Sequence, residues 1–192
     1  MDSLDSILKS GKMEVTFLVS DTEWEGSSDY LRHPQEQADS RLIGSTLDAE
    51  LEIDLSVALA LFLRRVETGV GAPTRFLELL TRGTPMCAFN GEIMEVNTKT
   101  YPPADPHYGG LKEVSALMQC GLLIPLVGLT SVRFAPLQQG EVLEGISVLK
   151  ANVIRPRSSF GITHKVKVVK VSTLRPHGDR HPGNYRLVTG VL

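Results

Sequence analysis

The side chains best suited to chemistry gather in the last quarter of this chain. Between Gly145 and Leu192 stand Lys150, Arg155, Arg157, Lys165, Lys167, Lys170, Arg175, Arg180 and Arg186, against one acid, Asp179. That is a local net charge of +8 in a chain whose total is −2. The densest part is Arg155-Pro-Arg-Ser-Ser-Phe-Gly161. The guanidiniums of Arg155 and Arg157 suit phosphate oxygens bidentately, and the hydroxyls of Ser158 and Ser159 add hydrogen bonds to the same oxygens. Phe160 offers a flat apolar face on which a base can stack. Further on, Lys165 and Lys167 share one face of a strand. Lys170 joins them only if a bulge falls at Val168-Val169, which also turns Val166 and Val171 inward, so the spacing predicts that bulge. The chemistry is a grip on a phosphate backbone with little reading of sequence. The plainer reading is a solvated edge strand whose lysines keep other strands away.

Other constellations carry less. His177-Gly-Asp-Arg-His181 places His177, Asp179 and His181 within one turn, but a closed metal site needs more ligands and a firmer scaffold. Pro176, Pro182 and Gly183 mark a surface turn there, so no metal and no cofactor are assigned. Cys87 and Cys120, the chain's two cysteines, are too far apart in sequence for a metal knuckle or a redox pair. They read as small core residues. Gly69-x-Gly71 lacks the full spacing and the Lys-Ser/Thr of a phosphate loop. No nucleophile elbow or triad signature is present. His107 beside Asp105 is an acid–base pair that nothing else in the sequence supports.

The opening third has the opposite sign. Residues 1–60 carry thirteen acids against Lys9, Lys12, Arg32 and Arg41, a net of −9, so the rest sums to +7. Either the two halves neutralise each other within one fold, or the acidic side meets the basic side of another copy. Trp24, inside an acidic segment of residues 21–45, and the carboxylates Asp48, Glu50 and Glu52 are the candidate partner-binding residues. The same carboxylate row on Thr46–Leu55 also invites a metal, but a solvated face is the better reading.

The elements that position these groups follow from pattern. Residues 2–9 read as a short helix. Lys12–Ser20 and Thr46–Leu55 alternate as strands, the latter with Leu47, Ala49, Leu51, Ile53 and Leu55 on its buried face. Residues 21–45 read as a flexible acidic loop or arm. Val57–Glu67 reads as a helix buried all round, followed by a second helix from Pro73 to Arg82. Asn90-Gly91 between apolar runs reads as a type I′ hairpin turn. Residues 111–120 read as a helix, residues 122–126 and 129–135 as strands, and residues 147–172 as a long basic β-hairpin. Tyr185–Leu192 is a last strand.

From residue 46 to 135 this order is the β-α-β-β-α-β of a ferredoxin-like α+β core. The basic hairpin region, residues 145–192, and the C-terminal strand follow it in a single domain, residues 1–192. The first residues lack the pattern of a signal peptide. The apolar run Val57–Leu63 is too short to span a membrane. The sequence therefore predicts a cytoplasmic, non-enzymatic nucleic-acid-binding subunit of a larger assembly, taking single-stranded RNA or DNA and forming homo- or hetero-oligomers. Two alternatives stand beside it. One is a self-assembling shell or filament protein built on acid-to-base contacts, and the other a small enzyme with a pocket under residues 21–45.

Overall fold

The computed structural model describes residues 13–20, 42–67, 74–103, 109–153, 160–174 and 185–192. Strands β1 (Glu14–Ser20) and β2 (Thr46–Asp54) lead into one short helix, α1 (Leu55–Leu61). After it come β3 (Phe62–Val66), β4 (Phe76–Leu79), β5 (Met86–Tyr101), β6 (Leu111–Gln119) and β7 (Leu123–Ser131). Strands β8 (Val142–Asn152), β9 (His164–Leu174) and β10 (Tyr185–Val191) complete the described elements. Eight strands close in the order β8-β1-β10-β9-β2-β7-β6-β5 and back to β8, with β3 and β4 flanking the ring. The fold is thus a closed β-barrel and not a ferredoxin-like α+β unit. The interior of an eight-stranded ring is just wide enough for side chains to fill. Phe17, Leu51, Ile53, Phe89, Ile93, Met118, Ile124, Leu126 and Leu149 are among the buried residues that do so.

The register shows how the basic end is built. Along β2, Thr46 to Ala49 pair antiparallel with Lys167 to His164 of β9. Glu50 to Ile53 then pair antiparallel with Asn152 to Leu149 of β8. β8 and β9 therefore run end to end along one neighbour. They do not form the expected hairpin, because each already has β2 as its partner. The same device recurs on β8. Its residues Asn152 to Leu149 face β2 and its residues Ile146 to Val142 face β3, with α1 as the excursion between.

Three further expectations fail for physical reasons. The predicted helix over residues 57–67 stops at Leu61, because Phe62 to Val66 gain a ladder with β8. Leu59, Leu61 and Phe62 are exposed rather than buried all round. Residues 111–120 carry an apolar pattern with period 3.6 and another with period 2. The sheet selects the second, burying Lys112, Val114, Ala116, Met118 and Cys120. The second predicted helix is replaced by β4 and the turns after it.

Asn90-Gly91 is no turn. Both residues lie inside the sixteen-residue β5, Asn90 opposite Phe76 of β4 and Glu144 of β8. A Cβ on Gly91 would lie 2.5 Å from Met118 Sδ and 3.2 Å from Cys120 Cβ. The glycine leaves room for the Met118 side chain packed over it, and its backbone is not left-handed. Gly128, which falls between the strands expected over residues 122–126 and 129–135, sits within β7, where Ser56 N and Leu55 Cβ leave no room for a side chain.

Candidate polyanion-binding face

On β9 the pairing with β10 slips by one residue. Thr189 stands opposite Lys170 and Gly190 opposite Val168, so Val169 is the extra residue. This is the bulge the lysine spacing predicts. Before it, Lys165 and Lys167 face out while Val166 and Val168 are buried. After it, Lys170 faces out and Val171 is half-buried. Without the slip, Lys170 would share parity with Val166 and Val168 and point inward, where an unpaired ammonium is costly. Phe160, half-buried, stands just ahead of the strand. Arg155, Arg157, Ser158 and Ser159 lie outside the described residues, as do Trp24 and the His177–His181 turn.

Carboxylates from the acidic strand reach part of this basic row. The ladder sets Asp48 opposite Lys165, and Lys165 Nζ lies 3.2 Å from Asp48 Oδ1. Both side chains are more than half exposed, 79% and 66%, and such a pair contributes at most about 1 kcal/mol. Lys150 Nζ lies 2.5 Å from Asp54 Oδ2, a tighter contact to a better-covered carboxylate. Asp54 also caps α1, its Oδ1 accepting from Val57 N at 3.0 Å. Among the described residues, no carboxylate pairs with Lys167 or Lys170. The two charged halves thus meet along β2 at Lys150 and Lys165, and no described carboxylate reaches Lys167 or Lys170.

The carboxylates of β2 are not one solvated face. Asp48 is exposed and Glu52 is half-buried. Glu50 is 1% exposed, accepting from Asn152 Nδ2 at 3.1 Å. Nor is Arg186 a surface cation: it is fully buried. It shares strand parity with Val188 and Gly190, and the ladder sets these opposite Val19, Phe17 and Val15 of the core. That parity with Val188 was the available signal for its direction. Sequence reasoning also missed Phe134, whose ring carries two cations, Arg65 and Lys112, each 5.6 Å from its centroid. Lys112 Nζ donates to Phe134 O, and Arg65 donates to Ala135 O. Together they fasten the segment after β7 to the end of the barrel.

The two cysteines are not poised as nucleophiles. Burial pushes both thiols from their ordinary value of 9.0 up to about 12, Cys87 under the further influence of Cys120. Both stay protonated at neutral pH and are poor nucleophiles. Native protein at pH 8 is expected to leave both thiols unmodified by a thiol reagent that labels both in denaturant. The same burial sets an alkaline limit. The unfolded chain loses these protons near pH 9 and the folded chain only near pH 12, so stability is full below pH 9 and falls as pH rises between the two.

Among the described residues, no group of three His, Cys, Asp or Glu side chains is placed to hold a metal. An open groove of about 500 Å³ lies on the outer face of β5, β6 and β7, lined by Tyr101, Leu111, Glu113, Val127, Gly128 and Leu129. Only residues 42–45 of the predicted 21–45 arm are described, and the groove's lining includes none of them. No described helix is long and apolar enough to cross a membrane. In comparisons with known proteins, no family model, no curated protein and no solved structure matches this chain.

Proposed function

We propose that this chain is a cytoplasmic, non-enzymatic nucleic-acid-binding protein that holds a single-stranded phosphate backbone along β9. The observation that carries the reading is the bulge at Val169, which brings Lys170 to the outer face already occupied by Lys165 and Lys167. Residues two apart on a strand are separated by about 7 Å, so the row presents regularly spaced cations to a regularly charged polymer. Phe160, half-buried, stands at the head of the row. Lys165 is shared with Asp48, but a pair this exposed yields to a polyphosphate at small cost. Arg155 and Arg157 precede β9 in sequence and would add to the grip.

The test is the salt dependence of affinity for a single-stranded homopolymer. Each phosphate neutralised contributes a slope of about −0.7 in log K against log salt. Replacing Lys165, Lys167 and Lys170 together by Ala should flatten the slope by about 2 and weaken binding at low salt. A slope unchanged by the triple substitution overturns the reading.

A further inference from the structure

The lysines of β9 have unequal neighbours along β2. Asp48 stands opposite Lys165, while Thr46, exposed and uncharged, stands opposite Lys167. The slip at Val169 puts Lys170 two ladder positions beyond Lys167, since Lys167 faces Val191 and Lys170 faces Thr189 of β10. Two residues advance a strand by about 7 Å. Lys167 therefore stands about 7 Å, and Lys170 about 14 Å, along the strand from the level of Asp48. Exposed charges are screened over about 10 Å at 0.1 M salt. The carboxylate acts on one end of the row and hardly on the other.

Asp48 also differs from the other paired carboxylates. Its 3.2 Å contact to Lys165 is the longest of the ion pairs among the described residues, and the one in which both side chains are more than half exposed. Asp54 caps α1 and Glu50 accepts from Asn152 Nδ2, so both have duties in the fold. Among the described residues, Asp48 pairs with Lys165 alone. An exposed pair of this kind adds little to stability. Its carboxylate is placed where its main effect falls on whatever approaches Lys165.

We infer that Asp48 is an internal competitor for the ligand of this site. It holds Lys165 in the free protein, yields it to an arriving phosphate, and so keeps the affinity of the row below what three lysines alone would give. The inference rests on the reading of β9 as the phosphate-binding strand. Neighbouring strands lie about 4.8 Å apart, so a phosphate over Lys165 meets an ammonium and, one strand away, a carboxylate. To take the lysine it must break the pair, and Asp48 is then left beside an anion. Neither cost arises at Lys167 or Lys170, where no described carboxylate stands. These two lysines make the firm part of the grip, and Lys165 is its reversible end.

The experiment uses the full chain and a labelled single-stranded oligonucleotide of fixed length. Asp48→Asn keeps the shape and removes the charge. It should tighten binding by roughly 2–5-fold at low salt, the range an exposed pair allows. The gain should appear mainly in the association rate, as removal of a rim charge does, and should fade as salt is raised. Asp48→Glu keeps the charge and should bind as the native chain does. Both variants should melt with the native chain, since Asp48 serves no other described contact.

A Lys165→Ala background separates competition from bare repulsion. There the carboxylate has no lysine to hold, so Asp48→Asn should gain less than it does in the native chain. An equal gain in both backgrounds overturns the competition. Replacing Lys165, Lys167 and Lys170 together tells the two failures apart. If that triple substitution leaves the salt slope unchanged, the site is not on β9 and the inference falls with the reading. If it flattens the slope while Asp48→Asn binds no tighter than the native chain, the inference alone is overturned.

Discussion

Phe89→Ala is expected to destabilise the protein by about 3–5 kcal/mol, the usual cost of emptying a fully buried aromatic site. Phe89 is completely buried near the start of β5, opposite Leu77 of β4 on one side and Gly145 of β8 on the other. Its ring sits where a side chain on Gly145 would be, since a Cβ there would lie 2.7 Å from Phe89 Cζ and 2.8 Å from Phe62 O. The glycine and the aromatic are complementary halves of one packing unit where β3, β8 and β5 meet. Flanking strands hydrogen-bonded on both sides of β5 cannot move into the space the ring leaves. In a chain of this size each kcal/mol shifts the melting temperature by roughly 2–4 °C, so a fall of about 10 °C should be seen. Phe89→Leu, which keeps most of the volume, should cost markedly less. A loss below about 1 kcal/mol for the alanine variant would mean that the ring does not pack at the centre of the barrel wall.

Gly190→Val should be nearly as damaging, for the opposite reason. A Cβ on Gly190 would lie 2.6 Å from the backbone oxygen of Lys167 and would overlap Val166 Cγ1. The obstacle is backbone, so no rotamer change relieves it, and β10 must move away from β9 at the bulge. Overpacking of a well-filled interior costs about 1–3 kcal/mol and occasionally more, and this position should fall at the upper end. Gly140→Ala is the control. Gly140 has a φ of +86° with nothing within 4 Å of a built Cβ, so that substitution carries only the left-handed backbone penalty of about 1–2 kcal/mol. Urea denaturation of both variants decides the matter, and a Gly190→Val chain as stable as the Gly140→Ala chain would contradict the close seam between β9 and β10.

The strands that alternate with period 2 were legible in the sequence. Val15, Phe17 and Val19 of β1 face the core, as do Ala49, Leu51 and Ile53 of β2. The bulge in β9 was legible too, because three lysines fit one face only if the register slips. What misled was any segment whose residues satisfy two periods at once. Leu111, Val114, Leu117 and Met118 make a helical stripe, and Val114, Ala116, Met118 and Cys120 make a strand face. Only the presence of β5 and β7 on either side chooses between them.

Asn90-Gly91 carried a strong local turn signal that packing overrode. The glycine answers to Met118 and Cys120 across the sheet, which no local window contains. Pairing over long distances was the least legible feature. Two basic segments joined by a short polar link look like a hairpin, and nothing local says that both lie end to end along residues a hundred positions earlier. The candidate site divides the same way. Exposure of Lys165, Lys167 and Lys170 followed from alternation, whereas burial of Glu50 and Arg186 depends on neighbours that the chain brings in from afar.

The central claim is that the outward row on β9 holds a polyanion. Titrating the isotopically labelled protein with a single-stranded oligonucleotide, and following backbone amide shifts, tests it residue by residue. The account predicts the largest shifts from Phe160 through Lys170, collapsing as salt is raised. Shifts confined to other strands, or none at saturating oligonucleotide and low salt, would contradict it.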